Sequence, residues 1–430
     1  MGSRLALYLR EGSGDLNRRI LPHALGFLIG GARAIYALMK LLPTQPKVLL
    51  ITREPRQISV DFALLAEAIQ RKHPDHRIVV IKHKKLSPGY LPKSLREMYH
   101  LATCTGCLVD GYIIPVSILN HRKDLRIGQV WHALGAIKKF GHLASGTREG
   151  PHPRVAATMQ MHQNYTFVCA SGQVPASIYT AAFGIPDERI WPLGMPRIDF
   201  LLDDHRMNQR RQVMLDHYPQ LQRSQEAGGR IVLYIPTFRR GRQVPYTKVA
   251  TAFADEDAST LVLLPHPIDK SPVPEGGRTI IGTDFGVLDW LAVADVVITD
   301  YSAVTYEAAL RDIPLVFWPY DMDEYVEARG LAVDYASEVP GPIVDSAAEA
   351  VQAALSTGPP DYRAFRSKHL NFVTDLDGTL PADPPGCADR IIDALALDSS
   401  AGTAVAASSP AASERSAASE SAESLRRPAQ

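Results

Sequence analysis

Cysteine is scarce in this chain of 430 residues: Cys104, Cys107, Cys169 and Cys387 are the whole set. So few thiols exclude a disulfide-stapled scaffold and fit a reducing compartment. An excess of either charge is missing too. Lys and Arg number 46 and Asp and Glu 46, giving a formal net charge of zero, so the basic footprint of a nucleic-acid binder is absent. The N-terminus lacks a recognisable signal peptide, and its apolar stretch Ile20–Leu42 carries His23, Arg33 and Lys40. Those charges argue against a spanning helix, which needs about 20 apolar residues. An interfacial helix with Arg18, Arg19, Arg33 and Lys40 near lipid headgroups fits better; a helix packed on the body of the protein is the plainer alternative. Metal-binding groups are lacking as well. Cys104-Thr105-Gly106-Cys107 has knuckle spacing without a second pair, and Asp255-Glu256-Asp257 precedes a strand instead of closing one. Asp375-Leu376-Asp377-Gly378-Thr379 reads like a phosphatase aspartate loop, but too little chain follows it to build that domain.

What is present is an ordinary soluble core, with 46% hydrophobic and 21% charged residues, and enough length for two domains. Strand and helix patterns alternate from Lys47: Val48–Thr52, Asp61–Lys72, Arg77–Lys82, Leu108–Ile114, Ile127–Val130, Tyr165–Ala170 and Val174–Phe183. Arg206–Arg223 is polar and helical, and Gln225–Arg230 is a break. The pattern restarts with strands at Ile231–Ile235, Thr260–Leu264 and Thr279–Ile281, then a helix over Val287–Ala294. Such alternation predicts βαβ units and parallel sheets. The expected division is an N-terminal helical segment at 1–46, membrane-surface on the interfacial reading, a Rossmann-like domain at 47–200 and a connection at 201–229. A second such domain at 230–397 and a disordered Ala/Ser-rich tail at 398–430 complete it.

The most informative stretch is DVVITDYSAVTYEAALRDIPLVFW, residues 295–318. It reads as strand, polar turn, helix, strand, with Asp300, Tyr301 and Ser302 at the turn. Parallel sheets bind ligands at the carboxyl ends of their strands, and helix N-termini there favour anions. His132 follows the strand ending at Val130, and His266 follows Thr260–Leu264, so each half offers a strand-end histidine that could act near neutral pH. A turn histidine bonded to backbone is the structural alternative for each. Arg239 follows Ile231–Ile235, a place suited to phosphate recognition. Gly194 and Arg197 lie at the junction, where Arg197 is either a hinge ion-pair residue or a ligand contact.

Taken together, VWHALGAIKKFG (130–141), LGMPRID (193–199), VLYIPTFR (232–239), LPHP (264–267) and residues 295–330 resemble the CDP-glycerol glycerophosphotransferase family of teichoic-acid synthesis. The resemblance covers roughly Lys47 to Ala394. It implies an α/β fold of the glycosyltransferase-B-like kind, with two doubly wound Rossmann-like domains facing a central cleft, the first (47–200) on the acceptor side and the second (230–397) binding the nucleotide donor. It also implies transfer of a polyol phosphate, glycerol phosphate first, from a CDP-activated donor to a lipid-linked glycopolymer acceptor at the cytoplasmic face of the inner membrane surface, with no cofactor. The family's functional histidines fall on His132 and His266. Its donor-binding residues fall on Arg239, Thr299, Asp300, Tyr301 and Ser302, with Glu307 and Asp321 beside them. The chain departs from the pattern at Ala133-Leu134-Gly135, where many members carry Gly-Thr-Pro, and at Ala303, where a second Ser is common. A nucleotide-sugar glycosyltransferase or sugar-nucleotide epimerase, and a non-catalytic membrane scaffold, remain the alternatives.

Overall fold

The structure is a computed structural model that describes residues 15–53, 58–82, 90–274, 276 and 278–397. The tail expected over 398–430 lies outside the described residues. The first half carries β1 (Lys47–Thr52), β2 (Arg77–Lys82), β3 (Gly106–Val109), β4 (Arg126–Gln129), β5 (Phe167–Cys169) and β6 (Ile190–Trp191). They form one sheet in the order β2-β1-β3-β4-β5-β6, parallel throughout. The second half carries β7 (Ile231–Ile235), β8 (Thr260–Leu263), β9 (Thr279–Ile281), β10 (Val296–Thr299) and β11 (Leu315–Phe317). Their order is β11-β10-β7-β8-β9, again parallel. β1, β3, β7, β8 and β10 are buried along their whole length. Their runs of Val, Ile and Leu follow from helices covering both faces.

Local chemistry explains the helices that flank the cleft. Ser59 caps the helix Val60–Lys72, its Oγ accepting from the Phe62 amide at 3.2 Å. That helix buries Phe62, Leu65 and Ile69, each worth about 1.5–3 kcal/mol. Two expected elements are shorter. The strand expected over Leu108–Ile114 ends at Val109, and Ile114 opens a short helix, Ile114–Ile118, with Pro115 in its first turn; proline is preorganised for that position. The helix expected over Val287–Ala294 is regular only through Trp290. The last helix, Cys387–Ala394, returns to the first half, although its place in the sequence puts it with the second. Asp199 accepts from the amides of Cys387 and Ala388 at 2.8 Å each, and Arg71 and Lys72 pair with Asp389 and Asp393.

The helix Asp15–Met39 docks on the helices Tyr90–Thr103 and Pro153–Thr158. Arg33 donates to the Ile118 carbonyl at 2.7 Å and to Gln160 Oε1 at 2.8 Å, and Lys40 donates to the Asn120 carbonyl at 2.8 Å. Arg33 and Lys40, expected near headgroups, also fasten the helix to the body of the protein; the side chains of Arg18 and Arg19 lie outside the described residues. Phe27, Leu28, Ile35 and Leu38 remain exposed on it. Among the described residues no helix is long and apolar enough to cross a membrane. All four cysteines are buried free thiols.

Candidate functional site

The two halves enclose a cleft of about 600 Å³. Ser59, Asp61, His132 and Arg197 line it from the first half, and Ile235, Ser302, Ala303 and Glu307 from the second. His132 follows β4, Ile235 ends β7 and Ser302 follows β10, so carboxyl ends of strands from both sheets face this space.

His132 is positioned by its neighbours. Trp131 holds a left-handed backbone, φ 66°, a conformation strained for a bulky residue. It is fixed on two sides. Its amide donates to Gln129 Oε1 at 2.9 Å, while Gln129 Nε2 donates to the Gly111 carbonyl at 3.1 Å. Its indole stacks on Phe140 at 4.8 Å and lies 4.1 Å from the His132 ring. His132 Nδ1 lies 3.0 Å from the Asp110 carbonyl oxygen. A carbonyl only accepts, so Nδ1 carries the proton and Nε2 presents a lone pair. His132 is exposed, and its ring lies on the wall of the cleft, open to that space. Desolvation lowers its pKa, the Asp110 hydrogen bond opposes this, and Arg197, Arg53 and Lys138 lower it further. The imidazole is neutral at physiological pH.

Arg197 spans the junction. Its guanidinium donates to Asp61 at 2.6–3.2 Å and to Glu307 Oε1 at 2.9 Å. Asp61 belongs to the first half and Glu307 to the second, so one side chain ties both walls. Glu307 Oε2 is buried with no hydrogen-bond partner, and desolvation raises the Glu307 pKa against the pull of Arg197.

Behind Ser302 lies a buried brace. Arg239 donates to Asp321 at 2.7 and 2.8 Å, to Asp300 Oδ2 at 2.8 Å and to the Thr237 carbonyl at 2.6 Å. Tyr301, Tyr320 and Tyr325 surround it with ring centres 4.7–5.1 Å from the guanidinium carbon. Burial disfavours its charge, but Asp300 and Asp321 more than offset this and raise its pKa. Asp300 Oδ1 accepts from the Thr237 and Tyr301 amides at 2.8 and 2.6 Å. Thr299 Oγ1 donates to the Ile235 carbonyl at 2.8 Å, and Tyr301 stacks on Tyr325 at 4.1 Å.

The structure thus separates the residues singled out in the sequence. His132, Arg197, Ser302 and Glu307 line the cleft. Arg239, Thr299, Asp300, Tyr301 and Asp321 shape it from beneath. Gly194 has φ 70°, and a Cβ there would meet Cys387 Sγ at 2.5 Å, so it serves close packing. His266 is exposed after β8, tilted over Phe238 at 5.2 Å; it is not among the residues lining the cleft. Sequence reasoning missed Asp61, hidden inside a helical pattern, and Thr237, whose Oγ1 is buried without a partner at the end of β7. It also named Lys138 only as a neighbouring cation. Lys138 is half-buried, and its pKa is lowered to about 8 by burial and then by Arg329, against Asp300 and Glu149. Among the described residues no group of three or more His, Cys, Asp or Glu is placed to hold a metal.

Comparison with known proteins is consistent with this geometry. The model of a family described as CDP-Glycerol:Poly(glycerophosphate) glycerophosphotransferase matches residues 34–379. The chain is similar to a teichoic acid ribitol-phosphate primase of Bacillus spizizenii, 28% identical over 79% of this chain and 90% of the relative. It is 26% identical to the teichoic acid poly(ribitol-phosphate) polymerase of the same organism, over 84% of this chain but only 58% of that longer protein. A solved structure of the wall teichoic acid polymerase TagF shares the fold, with a TM-score of 0.65 and 17% identity over 90% of this chain and 98% of the other.

Proposed function

Because the chain belongs to the CDP-glycerol:poly(glycerophosphate) glycerophosphotransferase family, we propose that it moves a polyol phosphate from a CDP-activated donor to a hydroxyl of a lipid-linked glycopolymer. Glycerol phosphate is the first candidate, on the family's description; ribitol phosphate is the unit named for the two relatives. The observation that carries the reading is His132: a neutral imidazole with its Nε2 lone pair open to a cleft between two nucleotide-binding-type sheets.

The acceptor hydroxyl gives its proton to His132 Nε2 as its oxygen attacks the phosphorus that bears the polyol. The bond from that phosphorus to the bridging oxygen breaks, and CMP leaves with the electron pair. Such transfers depend on positioning and on neutralising charge at the phosphate oxygens. Ser302 and the unpartnered Thr237 hydroxyl supply hydrogen-bond donors, and the half-buried ammonium of Lys138 supplies charge. Arg239 acts indirectly, holding the turn at 300–302. His266 is assigned to the pyrophosphate beside the leaving CMP, a role that requires the halves to close on the donor. The exposed apolar side chains of the helix Asp15–Met39 support a resting place on the inner membrane surface, beside the lipid-linked acceptor.

The test is CMP release from CDP-glycerol and CDP-ribitol with a membrane extract as acceptor. Release by the wild type and its collapse in His132→Ala support the reading. Turnover of a UDP-sugar with silence toward both CDP-polyols would replace it with a nucleotide-sugar enzyme.

A further inference from the structure

The chain has no net charge, yet Arg77–Arg96 contains six Lys or Arg residues and no Asp or Glu. The structure gathers part of this excess around a second cavity. It measures about 370 Å³ and is lined by Ile58, Val80, Ile81, Lys82, Lys93 and Arg96. That is within the ~300–1,000 Å³ of small-molecule sites. Among the described residues every charged residue of its wall is a cation, and its floor belongs to β2, the edge strand of the first sheet. Glu97, the next residue in the chain, is buried and is not part of the wall.

Position gives the cavity its meaning. Ile58 lines both it and the catalytic cleft, so the two spaces adjoin. Lys93 and Arg96 belong to the helix Tyr90–Thr103, which packs against the helix Asp15–Met39, the element with exposed Phe27, Leu28 and Leu38. The cavity thus shares a wall residue with the cleft that holds His132, and part of its wall comes from the helix on which the apolar N-terminal helix packs. A chain anchored in lipid and ending in a reactive hydroxyl would have this cavity beside it on reaching the cleft.

We propose that this cavity is an anion subsite for the phosphodiester groups of the acceptor, holding the strand whose end reaches His132. The proposal rests on the acceptor reading above. Arg96 offers paired N–H donors that match two phosphate oxygens, and the lysines act as point charges. Val80, Ile81 and Ile58 leave apolar floor for polyol carbons. Its charged wall lies on the surface, so salt screens the attraction, with a Debye length of about 8 Å at physiological strength.

The test uses the full chain and two exposed positions outside the catalytic cleft: the double variant Lys93→Glu/Arg96→Glu, with Lys93→Arg as the conservative control. Binding of a short water-soluble oligo(glycerol phosphate) is titrated at low and physiological salt, beside phosphatidylglycerol vesicles and CMP release. The expected result is an affinity for the oligomer reduced on the order of tenfold or more. The control should bind normally, salt dependence should flatten in the double variant, and the KM for the CDP-polyol should not change. Equal oligomer affinity in the double variant, or none in the wild type, overturns the proposal. A loss confined to vesicles overturns it in favour of lipid headgroups. Charge-sensitive oligomer binding with no CMP release from either CDP-polyol would retain the subsite and reject the transfer reaction.

Discussion

His132 Nδ1 is committed to the carbonyl oxygen of Asp110 at 3.0 Å, which leaves Nε2 as the ring's basic atom. The base form must be neutral, and the His132 pKa lies below its ordinary value of 6.5. Activity should therefore be flat at neutral pH and fall only as the medium becomes acid enough to protonate the ring. Lys138→Met removes a cation that depresses this pKa, so the acid limb of kcat/KM should move to higher pH. His132→Ala should lose about 10²–10⁴-fold in turnover with an unchanged melting curve. pH–rate profiles of the three proteins, with thermal melts beside them, check these outcomes.

Arg239 is a structural cation. Arg239→Ala leaves Asp300 and Asp321 buried without their partner, and breaking a buried pair in this way costs about 3–5 kcal/mol. The denaturation midpoint should fall accordingly. Arg239→Lys should recover little of it, because an ammonium cannot reach both carboxylates and the Thr237 carbonyl in a fork. A donor-contact role would instead raise the donor KM with stability unchanged.

Gly135 lets the loop after His132 approach the second half. A Cβ there would lie 2.3 Å from the Tyr306 ring, and overpacking of this kind costs about 1–3 kcal/mol. Gly135→Ala should lower both stability and turnover. Adding Tyr306→Leu should restore part of each, and the double-mutant coupling measured by unfolding tests the contact directly.

Phe27→Glu combined with Leu38→Glu places charge on the open face of the N-terminal helix and spares Ile29 and Tyr36, which are buried against the body. Each apolar side chain withdrawn from lipid is worth up to about 1.5–3 kcal/mol, so vesicle co-sedimentation should drop at least tenfold. Unchanged sedimentation would place the lipid contact elsewhere.

Much of this was legible in residue patterns. Buried parallel strands read as continuous apolar runs, so β1, β7 and β10 are visible as KVLLIT, IVLYI and VVIT. Ser302 is legible because it follows such a run, and His132 because it follows the shorter strand pattern Ile127–Val130. The assignment of partners is not. Nothing local shows that Arg239 will be enclosed by Asp300 and Asp321, which lie 61 and 82 residues away. Nor does spacing show that Arg197 reaches Asp61 136 positions earlier, or that Trp131 adopts a positive φ. Periodicity reports which face is buried; long-range pairing is settled only when the sheets form.

One backbone feature bears on how the enzyme would time its chemistry. Lys138 bridges Leu331 in antiparallel fashion, with the Lys139 amide on the Gly330 carbonyl at 3.0 Å and the Ala332 amide on the Ile137 carbonyl at 2.7 Å. This stitch joins the loop carrying His132 to the segment that follows the helix Met322–Ala328, the helix that packs Tyr325 on Tyr301. A donor that shifts the turn at 300–302 would thereby tug on the base through main chain alone. Side-chain substitutions along the stitch would leave that linkage intact; breaking it takes a residue with no N–H to give, a proline at 139 or 332.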